Sequence, residues 1–131
     1  MPIHLNHTIV ASTDRREAAE FFGHIFDLAV GAPAGFFIPV QLGNGVTLDF
    51  ATMPDGAPVP PQHYAFLVSE TDFDGVFARI QAARVDFWAD PRQSEPGRIN
   101  HNDGGRGVYF LDPSGHYLEA ITRPYGGGDP L

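Results

Sequence analysis

Two histidines and two acids occupy matching places in what reads as an internal repeat. Gly45-Val46-Thr47-Leu48-Asp49-Phe50-Ala51-Thr52 aligns with Gly115-His116-Tyr117-Leu118-Glu119-Ala120-Ile121-Thr122, with glycine, leucine, an acid and threonine in the same positions. Earlier in each half a histidine opens an alternating apolar run: Leu5-Asn6-His7-Thr8-Ile9-Val10, then Gln62-His63-Tyr64-Ala65-Phe66-Leu67-Val68. If each unit carries one imidazole and one carboxylate and the units pack about a pseudo-twofold, four donors converge. Two imidazole nitrogens and two carboxylate oxygens make a divalent metal site. Taken singly, a histidine on an apolar strand is more often structural; its repetition beside an acid is what points to a metal.

The elements needed to position these groups follow from periodicity. Leu5, His7 and Ile9 alternate along one face of a half-buried strand, so His7 points where the apolar side chains point. Asp14 with Glu17 three positions on is a helix start, and Phe21, Phe22, Ile25 and Leu28 continue at helical spacing, which predicts a helix over 14–28. Residues 36–42 and 46–52 flank Asn44-Gly45 and predict a hairpin with Asp49 in its second strand, the Asn-Gly pair supplying the positive φ angles. Residues 53–62 hold four prolines and read as the linker.

The second half repeats the order. A strand runs from His63 to Ser69, then a helix over 71–84 buries Phe73, Val76, Phe77 and Ile80, then a short strand covers 85–88. Residues 90–107, rich in Pro, Gly, Asn and Arg, form a long loop of the kind that covers a substrate. A final hairpin, 108–111 and 117–122, turns through Asp112-Pro113-Ser114-Gly115, and the glycine-rich tail from 125 to 131 is expected to be loose.

Composition narrows the chemistry. The 131 residues suffice for one shared core, expected to be a single domain with module one over about 3–53, a linker over 54–61 and module two over about 62–124. Sixteen acids against eight basic residues give a charge of −8, which disfavours nucleic acid and anionic membrane partners. All eight basic residues are arginine, so a lysine Schiff base and a lysine phosphate clamp are excluded. The absence of cysteine removes disulfides, thiolate zinc and a thiol nucleophile. No apolar run approaches the roughly 20 residues that span a bilayer, and a cytoplasmic protein is the default expectation.

At this point the order of elements, with His7, His63 and Glu119 in place, resembles the vicinal oxygen chelate superfamily of glyoxalase I, bleomycin and fosfomycin resistance proteins and extradiol dioxygenases. Its most specific part is Val108-Tyr109-Phe110-Leu111-Asp112-Pro113-Ser114-Gly115-His116-Tyr117-Leu118-Glu119. The resemblance implies an α+β fold of two βαβββ modules forming an open barrel-like mixed sheet. It also implies a divalent metal (Fe, Mn, Ni, Co or Zn) on His7, His63 and Glu119, a small-molecule substrate chelated through adjacent oxygens, and a homodimer.

Three activities fit that frame. In glyoxalase I-like isomerisation of a hemithioacetal, Asp49 matches the place of a fourth carboxylate ligand, although aspartate reaches one methylene less than the family's glutamate. In extradiol dioxygenase chemistry, which the reading favours slightly, His101 matches the acid/base and Tyr109 the hydrogen-bond donor, with Glu119 as the carboxylate ligand. Asp49 stands near where those dioxygenases place a further histidine. The third is a bleomycin-resistance-like binding protein, which needs no metal. Arg98, Arg106 and Arg123 are candidates to hold a substrate carboxylate, and His116, facing opposite to Glu119, reads as structural.

Overall fold

A computed structural model describes residues 1–131, which divide into two compact units, Met1–Pro60 and Pro61–Leu131. The first contains β1 (His7–Ser12), α1 (Arg15–Phe26), β2 (Phe37–Gln41) and β3 (Thr47–Thr52). The second contains β4 (His63–Leu67), α2 (Glu70–Ala82), β5 (Phe87–Trp88), β6 (Gly107–Leu111) and β7 (Tyr117–Ile121). The fold is α+β, with one mixed sheet in each unit: order β1-β3-β2 in the first and β4-β7-β6-β5 in the second.

The repeat inferred from sequence is present in the register. His7 pairs with Thr47 and Ile9 with Asp49 across parallel β1 and β3, while His63 pairs with Tyr117 and Ala65 with Glu119 across parallel β4 and β7. Both hairpins use one turn geometry. Leu42 N–H donates to Val46 O and Gly45 N–H to Leu42 O; Asp112 N–H donates to His116 O and Gly115 N–H to Asp112 O. Only the glycine of each turn takes a positive φ, 83° at Gly45 and 90° at Gly115, so the Asn-Gly pair supplies one such angle rather than two.

Helix α1 starts where Asp14 accepts from the backbone N–H groups of Arg16 and Glu17 at 2.9 and 3.2 Å, and stops where Asp27 turns left-handed at φ 55°. It buries Ala18, Ala19, Phe22 and Ile25, with Phe22 meeting Phe50 at 5.8 Å between ring centres. Gly23 is needed here, because a Cβ would lie 2.7 Å from Leu28 O and 2.9 Å from Val30 Cγ2. Helix α2, capped by Ser69, buries Phe73, Val76 and Ile80, and Phe77 meets Phe87 edge-on.

Two local expectations change. Leu5, His7 and Ile9 do share a direction, but it is the uncovered one: Leu5 is 65% and Ile9 54% exposed, while Val10 and Ser12 face the core. The second strand of module one is reduced to an isolated Val30–Val40 bridge. Pro39 explains this. Its carbonyl points to the outer edge and accepts from Gly31 N–H at 2.8 Å, so the N–H that proline lacks would have been needed on that same edge. Tyr109, opposite Glu119 as Pro39 is opposite Asp49, has its N–H, and Trp88 pairs with it.

Candidate metal centre

Strand alternation in the second unit sends Leu118 and Ala120 to the core and leaves Glu119 on the opposite face with Tyr117. Glu119 is nevertheless buried, at 1% exposure. Its Oε1 lies 2.8 Å from Nε2 of His63, whose side chain is 41% exposed. The Tyr109 ring lies 5.6 Å from the His63 ring, and its hydroxyl is close enough to Glu119 to feel that carboxylate's charge. Burial first, then the proximity and charge of Glu119, push the Tyr109 phenol above its ordinary range, so it stays protonated and serves as a donor.

This pair fits a metal. Two donor atoms bound side by side to one ion, each at about 2.1 Å, lie about 3 Å apart, close to the separation seen between His63 and Glu119. His7, exposed on β1, presents Nδ1 to Asn6 Oδ1 at 2.7 Å. Because the amide oxygen can only accept, Nδ1 carries the proton and the Nε2 lone pair is left outward, the arrangement an orienting partner gives a metal-binding histidine. Asp49, half-buried on β3, holds the register position in the first unit that Glu119 holds in the second. No three His, Asp or Glu side chains gather within the single chain into a group that could hold an ion.

The remaining sequence candidates fall elsewhere. His101 is exposed at the start of a 3-10 turn, Asn102–Gly104, and no hydrogen bond joins it to His63, Tyr109 or Glu119. Arg106 is committed to structure: it bonds Glu70 and Asp74 at 2.8 Å each and Glu70 O at 2.9 Å, and lies over the Phe73 ring. His116 is fully buried, its Nδ1 accepting from Gln62 N–H at 3.0 Å and its ring edge-on to Tyr64. Asp112 receives the N–H groups of Ser114 and His116, yet burial raises its carboxyl above the usual range.

Several neighbours escaped the sequence reading. Asn6 orients His7, and only its adjacency hinted at this. Tyr125, in the tail expected to be loose, is held in a Pro124–Gly127 turn close enough to Tyr109 to act on its phenol. Gln93, at the tip of the long loop, donates to the Tyr117 hydroxyl at 3.0 Å. No helix is long and apolar enough to cross a membrane.

Comparison with known proteins converges on one lineage. The solved structure of oxidase ChaP-H2 is 55% identical, with a TM-score of 0.93 over 98% of this chain and all of that one. Glutathione transferase FosA of Serratia marcescens is 31% identical over 121 residues, 88% of this chain and 77% of FosA. The fosfomycin resistance protein FosX of Mesorhizobium loti, at 20% identity and TM-score 0.70 over 95% of this chain and 96% of its own, shares the fold. The family model covers residues 4–120, and the chain belongs to the Glyoxalase/Bleomycin resistance protein/Dioxygenase superfamily.

Proposed function

We propose that this protein is a divalent-metal enzyme of the oxidase or dioxygenase type, acting on a small molecule chelated through two adjacent oxygens. The observation that carries the reading is the buried Glu119 carboxylate against His63 Nε2 at 2.8 Å, with the Tyr109 ring 5.6 Å from the His63 ring. His63 and Glu119 are two ligands. His7 is the third, supplied by a second copy in a homodimer, and Asp49 stands where a fourth carboxylate would. Supporting the His7 assignment are its exposure, its Asn6-fixed tautomer and the exposed Leu5 and Ile9 around it.

A divalent ion there supplies Lewis acidity and one-electron chemistry toward dioxygen. Glu119 offsets its charge from a buried position where the attraction is little screened. Tyr109, kept protonated by burial and the charge of Glu119, has a hydroxyl that can bond a substrate oxygen, and its ring walls one side of His63. His101 is the residue the family pattern assigns to proton transfer. Favouring oxygen chemistry is the similarity to oxidase ChaP-H2.

The test is metal analysis of the protein as isolated, then oxygen uptake with catechols after loading with Fe(II) or Mn(II). Oxygen consumption abolished by His63→Ala is expected; a protein that takes up no metal and is indifferent to His63→Ala sinks the reading. A second reading, thiol transfer, is favoured by the likeness to glutathione transferase FosA. Loss of glutathione thiol in the presence of an electrophilic acceptor, without oxygen uptake, would select it.

A further inference from the structure

The long loop is not loose. Residues 87–97 double back as a hairpin in which Ala89 N–H donates to Glu95 O at 3.1 Å and Gly97 N–H to Phe87 O at 2.9 Å. The Asp90 carboxylate closes its turn by accepting from the N–H groups of Ser94 and Glu95 at 3.0 Å each. At the tip, Gln93 adopts φ 61°, a left-handed conformation that glycine or asparagine would enter more easily. The turn is closed without the Gln93 side chain. An unfavourable backbone kept with a long polar side chain directs attention to what that side chain does.

Gln93 Nε2 donates to the Tyr117 hydroxyl at 3.0 Å. Tyr117 is the Cα partner of His63 across the parallel ladder and lies two residues before Glu119 on the same strand, hence on the same face. With one lone pair of its oxygen taken by Gln93, its proton is free to donate to a group beside His63. We propose that Tyr117, oriented by Gln93, contacts the substrate and sets specificity, favouring molecules that carry a hydrogen-bond acceptor beyond the chelated oxygens. This rests on the reading that a substrate is held at His63 and Glu119. Gln93 is then a positioning residue for Tyr117.

The probes are catechol and 4-nitrocatechol, which differ by one acceptor group, titrated by absorbance into Mn(II)-loaded full-length protein whose metal content is measured in parallel. Tyr117→Phe should lower the preference for 4-nitrocatechol about five- to tenfold, the worth of one hydrogen bond. Gln93→Glu should do the same while keeping both side chains in contact, because a carboxylate only accepts, so the phenol O–H donates to it and turns away from the ligand. A merely structural Gln93 would leave the preference unchanged. Normal metal content with an unaltered preference in both variants overturns the inference and leaves the metal reading intact; no metal and no catechol binding in the unaltered protein overturns both.

Discussion

Glu119 carries the most consequence of any single residue, because it is a nearly inaccessible acid whose nearest polar neighbours are an imidazole and a phenol. Glu119→Gln keeps the shape and removes the charge. Metal affinity is expected to fall about a hundredfold or more, at or beyond what loss of an outer supporting residue costs. Thermal stability of the metal-free variant should not fall, since neutralising a buried carboxylate relieves its desolvation. Equilibrium dialysis and a melting curve check the two halves of this expectation. His63 and Glu119 were legible as a pair because strand period two and a repeat in sequence fix which residues share a face. Tyr117 with Gln93 was not, since their bond depends on a loop conformation that no periodicity encodes.

At the scale of elements, the two helices and the two hairpins were readable from caps, apolar spacing and turn glycines, whereas the parallel pairings of β1 with β3 and β4 with β7 were not. The role of Arg106 was not. As a loop arginine it looked available for a substrate, yet its partners Glu70 and Asp74 lie 36 and 32 residues earlier, where only the fold brings them near. It ties the start of β6 to the first turn of α2, and Arg106→Ala should lower the melting temperature by a few degrees. The Thr122 hydroxyl first, then Arg106, hold the Glu70 carboxyl below the ordinary glutamate range. A depressed folded value means stability present above the unfolded glutamate pKa and lost as pH falls through the folded one. Glu70→Gln should therefore flatten the acid side of the stability profile, measured by urea midpoints across pH 3–6 (about the span where glutamates titrate), by lowering the midpoint toward neutrality while leaving the acid end little changed. Gly23→Ala is expected to be costlier, by about 1–3 kcal/mol, because the backbone carbonyl of Leu28 cannot retreat from a new methyl group.

For the whole molecule, the superfamily and its α+β architecture followed from residue order, but the exposure of Leu5 and Ile9 did not. Alternation identifies a shared face without saying whether anything lies against it. The proposed homodimer, in which His7 reaches the metal of the partner, would account for that uncovered face. Ile9→Asp should then shift the protein toward monomer by light scattering and weaken metal binding together, while the far-ultraviolet circular dichroism of the chain stays the same. Loss of metal without dissociation, or dissociation without loss of metal, would separate the two roles assigned to this surface.

Pro39 has a bearing on solubility that reaches past the architecture of one repeat. An unpaired sheet margin is a template on which a foreign strand can add, and a residue without an amide hydrogen interrupts the row of donors such growth requires. By withholding one donor beside the short Val30–Val40 bridge, the ring guards that margin against self-templating. Pro39→Thr, which restores the missing group, is therefore the change to expect in a variant that stays folded yet polymerises on storage.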